Sequence, residues 1–197
     1  VYPLNFRATD NAGNLAIVTR TVSVDTNPPT INYTVSGTSG SKGWYVSQAV
    51  VSTTASDFGA GVDTILISDN GGSGKSSPIT LDDGIHNLTI TATDKAGNSR
   101  SVSQTVFVDT TGPVISQFST GTSGINGWYV SAVNMNATAS DDGSGLQGDV
   151  EVSMDNGSTW NAVPVQLSDG LHDLTYRAYD KAGNLSTSSA SVSIDTT

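Results

Sequence analysis

The chain has 197 residues, with 8 Lys+Arg against 18 Asp+Glu and a net charge of −10. That balance disfavours nucleic acid and anionic membranes, since both recruit positive surfaces. There is no cysteine, so disulfide and thiol chemistry are excluded, and no apolar run reaches the ~18 residues that suggest a membrane-spanning helix.

Residues 1–24 open in a strand pattern: Leu4, Phe6 and Ala8 alternate with Asn5 and Arg7, the period of a strand with one buried face. They turn at Asp10-Asn-Ala-Gly-Asn14 and return to Val22-Ser-Val-Asp25. The same text recurs at Ala92-Thr-Asp-Lys-Ala-Gly-Asn98 with Val106-Phe-Val-Asp109, and at Ala178-Tyr-Asp-Lys-Ala-Gly-Asn184 with Val192-Ser-Ile-Asp195. Asp10, Asp94 and Asp180 are 84 and 86 residues apart, and the linker aspartates Asp25, Asp109 and Asp195 keep both intervals. A fixed period of this size marks a tandem array. Residues 1–24 are expected to be the last two strands of a preceding domain, 25–108 a first full repeat, and 109–197 a second repeat running into the next linker.

Within the first full repeat, Pro28-Pro29 stiffens the linker and cannot continue a central strand. A strand is predicted at 30–36, then a flexible loop closing on Trp44-Tyr45-Val46, and a second strand carrying Ala49, Val51, Thr53 and Ala55. A glycine-rich turn, Ser56-Asp-Phe-Gly-Ala-Gly61, leads to a strand at 65–68 that ends on the turn signal Asp69-Asn-Gly-Gly72. An edge strand at 78–81 and strands at 86–94 and 100–108 complete it. The second repeat keeps this order, with two extra residues between Gly145 and Asp169. Short strands with frequent turn signals and no 3.6-residue period predict an all-β fold, a β-sandwich ahead of a barrel.

Five motifs recur in fixed order: Gly-Trp-Tyr-Val-Ser, Ser-Asp-x-Gly-x-Gly, Asp-Gly-x-His, Ala-x-Asp-x-Ala-Gly-Asn and Val-Asp-Thr-x-x-Pro. The set resembles the bacterial immunoglobulin-like (Big-type) repeats of large secreted and cell-surface proteins. The resemblance implies tandem Ig-like β-sandwiches in a linear array, outside the cell or on the bacterial surface. It implies a stalk, a fibre or an accessory module, and it does not choose between them.

Catalysis finds little support in the residues. His86 and His172 hold the same place in successive repeats, where a ring bonding a nearby carbonyl would brace a corner. Trp44-Tyr45 and Trp128-Tyr129 could offer a flat surface to a sugar, or plug one end of each sandwich and form a junction contact. Trp160 has no counterpart in the first repeat and is the better candidate for an exposed contact.

At the pole where each linker enters, sandwich topology should bring three acidic segments together. These are Asp109, Asp141 with Asp142, and Asp180 with Asn184 in the second repeat, and Asp25, Asp57 and Asp94 with Asn98 in the first. Crowded carboxylates repel unless protonated or neutralised, and an oxygen-rich site suits Ca²⁺ better than Mg²⁺ or Zn²⁺. The simpler alternative is a turn whose aspartate bonds its own backbone. Phe58 stands where Asp142 stands in the second repeat, so the first site is expected to be the weaker. The function expected is non-enzymatic: a structural or adhesive segment whose partners are neighbouring Ig-like repeats of the same or another chain. The alternative is a ligand-binding module with a cell-surface glycan as partner.

Overall fold

The structure, a computed structural model, describes all 197 residues, and its regular elements are all strands. None of it is a helix long and apolar enough to cross a membrane. The first hairpin is β1 (Tyr2–Thr9) with β2 (Leu15–Val22), in register from Tyr2 opposite Val22 to Thr9 opposite Leu15. The first full repeat holds β3 (Thr30–Ser36), β4 (Trp44–Tyr45), β5 (Ala49–Ser56), β6 (Val62–Asp69), β7 (Ile79–Leu81), β8 (Gly84–Asp94) and β9 (Ser99–Val108). They form a three-stranded sheet, β3-β5-β7, and a four-stranded sheet, β4-β9-β8-β6. In the second repeat β10 (Val114–Thr120), β12 (Val133–Ser140) and β15 (Val165–Leu167) form one sheet. The other sheet orders β11 (Trp128–Tyr129), β17 (Leu185–Ile194), β16 (Gly170–Tyr179), β13 (Glu151–Ser153) and β14 (Asn161–Ala162) as β11-β17-β16-β13-β14.

The predicted strands are present, and β6 is longer than expected because it starts directly after the glycine-rich turn, with a register shift between Val62 and Thr64. Its counterpart β13 is reduced to three residues. The registers of Ile67 with Ile90 and of Val152 with Tyr176 place one of the two extra residues before β13, and the other in the hairpin that follows.

Alternation translates directly into burial. On β16, Leu174, Tyr176 and Ala178 point inward and join Val133, Met135, Val152, Leu167 and Ile194 in one core. Their equivalents Leu88, Ile90 and Ala92 on β8 are equally buried. Each buried Val, Leu or Ile among them contributes about 1.5–3 kcal/mol by leaving water.

Contacts gather the chain into two compact units: Val1–Val35, Val51–Ile79 and Asn87–Thr105 in one, Ser36–Val50, Thr80–His86 and Val106–Thr197 in the other. The far-pole loops of the first repeat are thus grouped with the second. The Ser41 N–H donates to the Ala182 carbonyl at 2.6 Å, and a Cβ on Gly40 would come within 2.3 Å of that same oxygen.

The hairpin β1–β2 differs from its equivalents, for every residue of both strands is exposed, Leu4, Phe6, Ile17 and Val18 among them. Two strands without a packed face are marginal in water. In hydrogen exchange of the 197-residue chain, amides of β1–β2 should exchange about a hundredfold or more faster than those of β8–β9. Equal protection of the two hairpins would show that the first has found a partner.

Candidate metal centre

Each cluster is built from its linker aspartate outward. Asp109 is fully buried. Its backbone N–H donates to the Tyr45 carbonyl at 2.9 Å, and its carboxylate receives the Ser144 N–H at 2.6 Å and the Thr111 N–H at 3.3 Å. A Cβ on Gly143 would sit 2.5 Å from the Asp109 carboxyl carbon, and one on Gly59 would sit 2.3 Å from an Asp25 oxygen. The first glycine of Asp-x-Gly-x-Gly is therefore the floor on which the linker carboxylate lies. The second glycine, Gly61 or Gly145, has φ near +79° or +78°, a conformation that favours glycine for want of a Cβ.

The third segment is the Asp-x-Ala-Gly-Asn turn. Asp180 Oδ1 accepts the N–H groups of Gly183 at 2.6 Å and Asn184 at 2.8 Å, and Oδ2 accepts the Asn184 amide at 2.7 Å. That amide also donates to the Asp109 carbonyl at 2.9 Å, tying turn to linker. Asp94 and Asn98 repeat the arrangement, with the Asn98 amide 3.2 Å from the Asp25 carbonyl. Asp10 makes the same internal bonds to Ala12 and Asn14 in the exposed hairpin, so this turn forms without any acidic neighbour. Turn-building accounts for Asp94 and Asp180 on their own. The further carboxylates bond backbone too, Asp57 taking the Gly59 and Gly61 N–H groups at 3.0 and 2.9 Å, but local bonds of this kind do not require the three to converge.

Asp109, Asp141 and Asp180 each offer an oxygen within 4.8 Å of the others, and Asp25, Asp57 and Asp94 do the same. The charges register this crowding. Burial raises the Asp141 carboxyl above its ordinary value, aided by the charges of Asp109 and Asp180 and opposed by the Gly145 N–H. Burial also acts on Asp109, but hydrogen bonds from Ser144 and Thr111 outweigh it and hold that group low. Asp94 is lowered likewise, burial being overcome by its bonds from Asn98 and Ala96. An all-oxygen set without histidine or cysteine suits a hard cation of Ca²⁺ type.

Asp142 is not brought into the cluster. It is exposed, as is Phe58 at the equivalent place. The reason is local: the Asp141 carboxylate turns inward to take the Gly145 N–H at 2.6 Å, leaving its neighbour facing water. Phe58 consequently takes no ligand from the first cluster, and the two clusters are matched in donors. They differ in depth, since Asp109 is buried and Asp25 half-buried.

The aromatic pairs divide. Trp44 rests on Phe107, ring centroids 5.3 Å apart, and its outer side lines an open cleft shared with Asp83, Ile85, Thr111 and Asp142. Tyr45 lies against Gly37, and Tyr129 against Gly121, with the Tyr129 hydroxyl 2.7 Å from Ser119 Oγ, so the tyrosines brace the loops of their own repeats. Trp128 is exposed. His86 and His172 bond the carbonyls of Asp82 and Ser168 at 3.0 and 2.8 Å, as expected of corner residues. One joint was not anticipated: Asp83 accepts the N–H and hydroxyl of Thr110, and Asp169 those of Thr196. The signal was present as an identical 27-residue spacing in both repeats.

Two outcomes follow for the metal-free protein. A raised Asp141 favours the protonated fold, so its contribution is present below the ordinary value of 3.8 and lost as pH rises through its folded value. Asp141→Asn should therefore melt above the parent at neutral pH in EGTA, and the gap should close on acidification to pH 3.8. Asp109 and Asp94 carry the opposite sign, giving stability above the ordinary value that is lost as pH falls through their folded values. Gly143→Ala should cost about 1–3 kcal/mol in urea denaturation, because the added methyl has no space beside Asp109.

Comparison with known families agrees with this architecture. A bacterial Ig-like domain model matches residues 32–110 and again 125–196, and a second bacterial Ig-like domain model matches residues 1–26. No curated protein matches the chain. Among solved structures, the fibronectin(III)-like modules of Clostridium thermocellum CbhA are 18% identical, with a TM-score of 0.35 over 83% of this chain and 94% of that one. Protocadherin Gamma B2 extracellular cadherin domains 1-5 are 18% identical, with a TM-score of 0.41 over 98% of this chain and 45% of that one. A tetra-tandem repeat in the extending region of a large adhesion protein is 17% identical, with a TM-score of 0.34, and there the chain spans 55% of its length. With one family model matched in two successive stretches that together span most of its residues, the chain belongs to the bacterial Ig-like domain family.

Proposed function

We propose that this chain is a structural segment of an extracellular bacterial surface protein, a run of Ig-like sandwiches within a stalk or fibre whose joints are set by calcium. The observation that carries this is the recurrence, in both repeats, of three carboxylates from linker, glycine-rich turn and Asp-x-Ala-Gly-Asn turn within 4.8 Å. Asp109, Asp141 and Asp180 would hold the ion in the second repeat, and Asp25, Asp57 and Asp94 in the first. A bound divalent cation supplies the positive charge that cancels their repulsion. The protein's own part is to present the oxygens from three separate segments, so that binding favours the arrangement in which linker and turns are docked. The partner of each repeat is then its neighbour, in the same or another chain, joined through backbone groups such as Ser41 N–H and Ala182 carbonyl.

A spacer needs no catalytic group, and both histidines are engaged with backbone carbonyls. Thermal melting in millimolar CaCl₂ against EGTA tests the proposal. At a calcium concentration about 100-fold above Kd, one site contributes about 2.7 kcal/mol, enough to raise the midpoint by several degrees. Asp141→Asn should lose most of the increment in the second repeat, while gaining stability in EGTA. A parent midpoint indifferent to calcium would remove the metal from this account and leave joints held by proline and packing.

A further inference from the structure

We infer that the second repeat carries a binding site for a neutral pyranose sugar, in the cleft beside Tyr179. Three linked differences between the repeats point there. In the first repeat Leu66 pairs with Thr91 and leans over Gly74, where a Cβ would meet its side chain at 3.0 Å. In the second, Glu151 pairs with Arg177, and Trp160 stands at the position equivalent to Gly74, next to the residue that pairs with Val152. The Arg177 Nε donates to Glu151 Oε2 at 2.8 Å, and its guanidinium lies 4.0 Å from the centre of the Trp160 ring. The Tyr179 ring is 5.8 Å away on the same strand. An apolar patch has been exchanged for a fixed polar one, with Trp160 half-buried as a support rather than a free face.

Next to this tier opens a cleft of about 400 Å³, within the size range of small-ligand sites. Tyr179 and Ala162 give it apolar surface, and Gln147, Asp149 and Glu151 give it polar groups. Its base is held to β16 by the Gln147 N–H, which donates to the Tyr179 carbonyl at 2.9 Å. A partly exposed tyrosine beside carboxylate and amide acceptors matches a pyranose, which has a C–H face and a rim of hydroxyl donors. Arg177 already compensates Glu151, leaving Asp149 as the one uncompensated charge of the lining. That charge opposes uronic and sialic acids while still accepting hydroxyl donors. The counterpart of Arg177 in the first repeat is Thr91 and that of Tyr179 is Thr93, so the site belongs to the second repeat alone. It is independent of whether the aspartate clusters hold metal.

Titration of the ¹⁵N-labelled chain in EGTA tests this, using the methyl glycosides of glucose, galactose, mannose and N-acetylglucosamine separately at millimolar concentrations. At least one should give saturable shifts at the amides of 147–151, 162 and 179, with the equivalent region of the first repeat silent. Tyr179→Ala should raise Kd about tenfold, the scale of a lost stacking contact. Asp149→Asn, at an exposed position, should weaken binding with the core resonances unchanged, and it decides the matter if the tyrosine variant fails to fold. The inference is overturned if none of the four sugars gives saturable shifts, or if the shifts survive both substitutions. A response to tetramethylammonium with none to the sugars would mark a cation site and overturn it equally.

Discussion

A buried carboxylate at the linker is the constraint on which the joint depends. Burying a charge is expensive unless hydrogen bonds and counter-charge replace water. Asp109 meets the first part of that requirement with bonds from Ser144 and Thr111, and its neighbours Asp141 and Asp180 make the second part harder. The glycine beneath it makes room for that group, and the asparagine of a turn that forms on its own reaches back to its carbonyl. Because Asp109 also donates its own N–H to Tyr45, one residue closes the β4–β9 end of the first repeat and opens the second. Asp195 repeats the bond with Tyr129.

Core and poles divide the work. Leu88, Ile90 and Ala92 in one sandwich and Leu174, Tyr176 and Ala178 in the other fill equivalent inward positions, and only the middle one changes its chemistry. The poles carry the repeated polar motifs, which bond the linker and the turns. The sheet face near β13 and β14 is free of both duties. There the two repeats part company, Leu66 against Glu151 and Gly74 against Trp160, without disturbing either core.

Much of this was legible in the sequence because the signals were local or periodic. Strand alternation located β5, β8 and β9 closely, and the interval between aspartates identified the array before any fold was assumed. The convergence of Asp109, Asp141 and Asp180 was also accessible, since sandwich topology fixes which turns share a pole. Side-chain direction within a turn was not. Asp141 and Asp142 are adjacent and alike, and the choice between them depends on which one the Gly145 N–H can reach. Trp44 and Tyr45 were indistinguishable for the same reason, as neighbouring strand residues face opposite ways. Trp160 gave no hint of its partner, because Arg177 lies on another strand and meets it only through the β13–β16 pairing.

The contact at Gly40 has one further consequence. It is made between a backbone N–H and a backbone carbonyl, with the side chains of Ser41, Val46 and Ala182 around it. Part of the joint is common to both repeats, Gly40 and Gly124 on one side and Ala96 and Ala182 on the other, but the donor residue Ser41 is matched by Ile125. Exchanging one loop for the other would therefore keep the backbone donor and set an isoleucine in place of the serine at the seam.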